Sequence, residues 1–242
     1  MATKIFTDNN ALSDYVAKQM VELILRKPNA LICFASGNSP KTTAAFFVQK
    51  VKEREIDLSR FRFIGLDEWV GVPADVAGSC HHDFKNWFFD PLGIKETQFH
   101  LFNGMSYNLN MECIKMDEYI EAHGGIDLMV VGIGMNGHIG FNEPGSNFDA
   151  KSHVVPLDEI TSSVGQKYFA KPMSLKHGIT LGFHHLLSTK EVYLIANGNA
   201  KAEVIQKAVE GEITTSFPAS VMQMHKNGAI LVDEAAASKL TR

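Results

Sequence analysis

Short apolar runs alternate along the chain with amphipathic stretches. "ALICFAS" (30–36), "FRFIGL" (61–66), "IDLMVVGI" (126–133), "GITLG" (178–182), "EVYLIA" (191–196) and "GAILVD" (228–233) are apolar at neighbouring positions rather than at every second one. A strand with that pattern is buried on both faces, as in a parallel sheet covered by helices. Between these runs, apolar residues recur three and four apart over about 11–26, 40–54, 111–122, 157–170 and 199–209, the period of a helix with one buried stripe. The alternation predicts an α/β fold of repeated βαβ units, an open, mostly parallel sheet with helices on both faces. No tandem repeat or low-complexity linker interrupts it, so residues 1–242 are expected to form a single domain.

Composition narrows the role. With 242 residues and 45% apolar content the chain can bury a substantial core. The 23 basic and 27 acidic side chains give a net charge of -4, and no Lys/Arg-rich block is present. Nucleic acid and membrane surfaces are therefore set aside as partners in favour of a small molecule, and homo-oligomerisation is left open. Cys33, Cys80 and Cys113 are odd in number and far apart, which forms neither a CxxC metal pair nor a disulfide framework, and a reducing cytoplasm is expected. The opening "MATKIFTDNNALSDYV" has no apolar signal core, and no run reaches the roughly 18 apolar residues a membrane span needs.

In an open parallel sheet, ligands bind beyond the carboxyl ends of the strands, so three loops carry the candidate chemistry. "SGNSP" (36–40) joins a strand to a helix expected near Lys41, with Gly37 for a tight turn, Ser39 as N-cap and Pro40 at the first helical position. Free amides at such a helix start attract an anion such as phosphate. "GLDEWVGVP" (65–73) follows the second strand with an adjacent carboxylate pair. Consecutive side chains of extended backbone point to opposite faces, so one of Asp67 and Glu68 can enter a cleft as a base while the other orients a neighbour or meets solvent. The third loop, "GIGMNGHIGFNEPG" (132–145), places His138 and Glu143 among five glycines that let backbone approach a ligand closely. A carboxylate within reach of an imidazole can hold its tautomer and raise its basicity, the arrangement general acid–base chemistry requires.

Other chemistries lack their residues. The adjacent pairs His81–His82 and His184–His185 do not have the spacing that puts two imidazoles on one zinc, and no metal site is expected. No GxSxG elbow occurs. "GIGMNG" is only a loose dinucleotide fingerprint, without the acidic residue expected about 20 positions later, so no organic cofactor is expected either.

Taken together, "LDEWVGVP", "GIGMNGHIGFNEPG" and "AKAEVIQKAVEG" resemble the glucosamine-6-phosphate deaminase/isomerase family, in order and over nearly the whole chain. The resemblance implies a modified, Rossmann-like open α/β sheet related to that of 6-phosphogluconolactonase. It implies that Asp67 moves a proton between C2 and C1, that His138 assists ring opening, and that Glu143 supports the histidine. "SGNSP" resembles the family's phosphate loop, which makes Ser36, Gly37, Asn38 and Ser39 phosphate ligands, and Lys201 matches its phosphate-binding lysine. Two departures stand out. Asn136 occupies a place where some members carry Asp, removing one charged orienter of the histidine. Lys167 stands near a lid arginine, replacing a bidentate clamp by a point charge. The implied reaction converts glucosamine 6-phosphate to fructose 6-phosphate and ammonia. "LDEWV" followed by "GSC" (78–80) also looks like members acting on galactosamine 6-phosphate, which would yield tagatose 6-phosphate. A lactonase-like hydrolase would carry an arginine soon after the acidic pair and no "FNEP", against Trp69 and Glu143, and a non-catalytic sugar-phosphate sensor would need neither Asp67 nor His138.

Overall fold

The computed structural model describes residues 1–241. Ten strands form: β1 (Ala2–Phe6), β2 (Leu31–Phe34), β3 (Arg62–Gly65), β4 (Asp67–Trp69), β5 (Phe99–His100), β6 (Leu128–Val131), β7 (His153–Pro156), β8 (His177–Thr180), β9 (Glu191–Ala196) and β10 (Gly228–Asp233). The helices are α1 (Asn9–Arg26), α2 (Asn38–Glu53), α3 (Cys80–Phe84), α4 (Asp90–Leu92), α5 (Leu109–Ala122), α6 (Glu159–Gly165), α7 (Phe183–Ser188) and α8 (Ala202–Glu210). Seven strands make one sheet in the order β1-β10-β9-β6-β2-β3-β5, parallel throughout.

The two-sided burial of these strands has a direct structural counterpart. Leu31, Cys33, Met129, Val131, Val192 and Leu194 point into a core shared with α5, α7 and α8. Their neighbours Ile32, Phe34, Leu128, Val130, Tyr193 and Ile195 point into a second core, built with α1 and α2 and with Phe61, Phe63, Phe84 and Phe88. Apolar side chains at every position are what a sheet covered on both faces requires.

Three expectations change. "GITLG" is a strand, but β8 pairs antiparallel with β4 and β7 in a separate three-stranded sheet, Asp67 lying opposite Thr180 and Val154 opposite Ile179. The expected 157–170 helix is shorter: α6 ends at Gly165, and Gln166–Tyr168 continue as a 3-10 turn. The helix after "SGNSP" starts at Asn38 rather than near Lys41, so Gly37, not Ser39, is its N-cap. Gly37 adopts φ 111°, a conformation that disfavours any residue with a Cβ, and this sets the turn two residues earlier than the Ser-Pro signal suggests. Strands β1, β4, β5 and β7 are additional to the sequence pattern.

Candidate functional site

Loops at the carboxyl ends of β2, β3, β6 and β9 enclose a cleft of about 400 Å³. Ser36, Gly37, Asn38 and Ser39 form one wall, Asp67 another, and His138 with Gly134 a third, while Lys167 and Lys201 reach in from separate segments. Asn136 and Glu143 stand behind His138 rather than on the cleft surface.

The acidic pair divides as alternation requires. Asp67 borders the cleft, while Glu68 is 3% exposed. Glu68 accepts hydrogen bonds from the backbone N–H groups of Trp69 (2.8 Å), Cys80 (3.0 Å) and His81 (2.8 Å), so it both fixes β4 and caps the start of α3. That places Cys80 beside Asp67. The Ser36 hydroxyl donates to Cys80 Sγ at 3.0 Å, and the thiol lies 3.7 Å from Asp67 Oδ1. Burial first, and the adjacent Glu68 carboxylate second, push the Asp67 pKa from 3.8 up to about 7, against the opposing contact from Cys80. A carboxylate so tuned is a far better base at neutral pH than one in solution.

The glycine-rich loop follows β6 and is shaped around the imidazole. A Cβ on Gly134 would lie 2.3 Å from His138 Nε2 and Cε1, so only glycine lets the ring sit there. Gly137 and Gly140, at φ 86° and 58°, turn the chain, and Asn142 Nδ2 donates to the carbonyls of Ile139 and Leu181, tying the loop to the end of β8. Asn136 Nδ2 donates to Glu143 Oε2 at 2.8 Å and Asn136 Oδ1 accepts from the His138 backbone N–H at 3.2 Å, so it orients the glutamate rather than the ring. Glu143 Oε2 is 3.5 Å from His138 Nδ1. Burial acts to raise the Glu143 pKa, but His138, Thr161 and Asn136 outweigh it and hold the carboxyl below its ordinary value.

Lys201 closes a 3-10 turn after β9, and its ammonium donates to the carbonyl of Ile133, at the start of the glycine-rich loop. Burial, and then the charge of Lys167, bring its pKa from 10.5 down to about 8. Lys167 is exposed, its ammonium 5.2 Å from the centre of the Tyr168 ring. Among the lining residues, Thr161 and Tyr168 carried no signal in the sequence, and Cys80 entered only in the cysteine count and as part of "GSC". Each arrives from a segment remote from the loops that place the others. Among the described residues no cluster of three or more His, Cys, Asp or Glu is disposed to hold a metal ion, and all three cysteines are free and buried.

A family model described as glucosamine-6-phosphate isomerases/6-phosphogluconolactonase matches residues 8–232. The chain belongs to this family. Members similar to it include the glucosamine-6-phosphate deaminases of Shouchella clausii, 38% identical over 96% of this chain and 94% of that protein, and of Bacillus pumilus, 37% identical over 96% and 97%. The solved structure of a monomeric glucosamine-6-phosphate deaminase superposes with a TM-score of 0.95, at 32% identity over 99% of this chain and 100% of that one. The 6-phosphogluconolactonase of Trypanosoma cruzi shares the fold at a TM-score of 0.80 and 18% identity, covering 100% of this chain and 97% of its own. The glucosamine-6-phosphate isomerase/6-phosphogluconolactonase family thus accounts for the open parallel sheet.

Proposed function

We propose that the chain, acting as one catalytic domain, is an amino-sugar-6-phosphate deaminase/isomerase that converts glucosamine 6-phosphate to fructose 6-phosphate and ammonia. The observation that carries this reading is a single cleft in which a carboxylate base, Asp67, and an imidazole backed by a carboxylate, His138 with Glu143, stand together with a helix-start anion loop and a buried lysine. The 6-phosphate is held by the amides and hydroxyls of Ser36–Ser39 and by Lys201, with Lys167 adding charge at the rim. Anchoring that remote group fixes the reacting carbons against the base. His138 moves the proton that opens the pyranose. Asp67 then takes the proton from C2, leaving an enolamine, and returns it to C1. The product is a ketose imine at C2, which water hydrolyses to the ketone with release of ammonia. No step calls for an electron acceptor, in keeping with the absence of any cofactor from the proposal. The free, buried cysteines suit a cytoplasmic enzyme, and no helix among the described residues is long and apolar enough to cross a membrane.

The test is an ammonia-release assay run in parallel on glucosamine 6-phosphate and galactosamine 6-phosphate. Turnover of the first with formation of fructose 6-phosphate is expected. A clear preference for the second, with tagatose 6-phosphate as product, would reassign the C4 specificity, and no ammonia from either would return the chain to a lactonase or a sensor.

A further inference from the structure

The contact between the histidine and its carboxylate is longer than a hydrogen bond. Glu143 Oε2 lies 3.5 Å from His138 Nδ1, outside the roughly 2.7–3.2 Å range of N–H···O bonds, whereas the Thr161 hydroxyl oxygen lies 3.0 Å from the same nitrogen. Thr161 is on α6, which lines the cleft with Ile160, Val164 and Gly165 as well, and the residue is 5% exposed. The turn that starts the same helix reaches the pair a second time, through the Asp158 N–H that donates to Glu143 Oε1 at 3.3 Å.

We infer that Thr161 is a positioning residue, whose hydroxyl accepts from His138 Nδ1–H and donates to the Glu143 carboxylate, so that the histidine is oriented by a three-membered chain rather than by the glutamate directly. This deepens the deaminase/isomerase reading and rests on it for the role of the imidazole. The polarity follows from the ends of the chain. Glu143 stays ionised because its neighbours hold its pKa down, and an ionised carboxylate only accepts, so the threonine proton points toward it. The hydroxyl oxygen then faces Nδ1 with a lone pair, which places the ring proton on Nδ1 and leaves Nε2, packed against Gly134 at the cleft wall, as the basic atom. A free imidazole has no such constraint.

Thr161→Val removes the hydroxyl and keeps the β-branched shape, Thr161→Ser restores the hydroxyl, and Thr161→Ala is the second deletion should the valine disturb folding. Imidazole ¹⁵N chemical shifts of His138 in the resting protein report the tautomer without any turnover. The wild type and Thr161→Ser are expected to show Nδ1–H, and the Val and Ala variants a mixture of both tautomers. On the cyclic substrate the deletions should lower kcat about 10-fold, the scale of one lost hydrogen bond to a charged chain, with KM within about 2-fold and recovery in Thr161→Ser. An unchanged tautomer in the deletion variants, or wild-type kcat in them, overturns the assignment. If the wild type releases no ammonia, the deaminase reading fails, and the ¹⁵N shifts still decide whether Thr161 sets the tautomer.

Discussion

Replacing Asp67 by Asn should make the protein more stable as it makes the site inert. The carboxyl is forced into a partly desolvated place beside a second, buried carboxylate, and its pKa stands at about 7 instead of 3.8. The folded state therefore holds the Asp67 proton more tightly than the unfolded chain does. Below about pH 4 the group is protonated in both states and Asp and Asn should be equivalent. As pH rises from about 4 toward 7 the unfolded chain ionises first, and wild-type stability is lost over that window; above 7 both states are ionised and the loss is complete. At about 1.4 kcal/mol for each pH unit the full difference is about 4 kcal/mol. Asp67 faces the open cleft, where water screens it, so about 2 kcal/mol is expected at pH 8. For a domain of this size that corresponds to a rise in Tm of about 4–8 °C. The assay is thermal unfolding of wild type and Asp67→Asn from pH 4 to pH 8, with turnover followed in parallel and expected to fall by about 10²-fold or more. A Tm difference that does not change with pH, or an Asn variant less stable at pH 8, would refute the claim that this base is held under electrostatic strain.

Other consequences are equally open to measurement. Single and double replacements His138→Gln and Glu143→Gln should give losses in turnover that do not add, since in the proposed mechanism the carboxylate acts through the imidazole, and an open-chain analogue should partly rescue the His138 variant but not Asp67→Asn; additive losses would separate the two residues. Lys201→Ala should raise KM for the phosphorylated sugar about 10-fold or more while leaving binding of unphosphorylated glucosamine nearly unchanged. With the Lys201 pKa down at about 8, wild-type KM should also climb between pH 8 and 9 as the ammonium deprotonates, and this climb should vanish in Lys201→Ala. Gly134→Ala should fold yet lose about 10²-fold in turnover, because the added methyl occupies the place of the His138 ring; wild-type turnover would show that the ring can sit elsewhere.

The central strands were legible in the sequence because they are buried on both faces. Five of the six apolar runs, now β2, β3, β6, β9 and β10, lie in the parallel sheet where continuous hydrophobicity predicts them. The sixth shows the limit of that signal, for β8 is as buried as the others but pairs antiparallel with β4, and burial alone does not encode direction. Strands β4 and β5, of three and two residues, are too short to show a period, and β1 is largely exposed at an edge. In the site, the residues on strand-end loops were legible because the fold class fixes where those loops converge. Thr161 was not, since its hydroxyl acquires meaning only from an imidazole 23 positions away that tertiary folding brings to it. The place of Cys80 beside Asp67 was hidden for the same reason, since the backbone hydrogen bonds of Glu68 set it there.

The pairing of the first strand with the last, Ala2 beside Ala229 and Phe6 beside Asp233, has a consequence for how the molecule is made. Strands β2 and β3 can pair as soon as both have emerged from the ribosome, but β1 must wait, unpartnered, for almost the entire chain to be synthesised. Closing a loop of that length is slow and contributes nothing until the end. Throughout that interval the growing sheet presents a bare flank where β10 will lie, a template for pairing with another nascent chain. Yield in a fast expression host should therefore depend on translation speed and temperature more than on the stability of the finished protein.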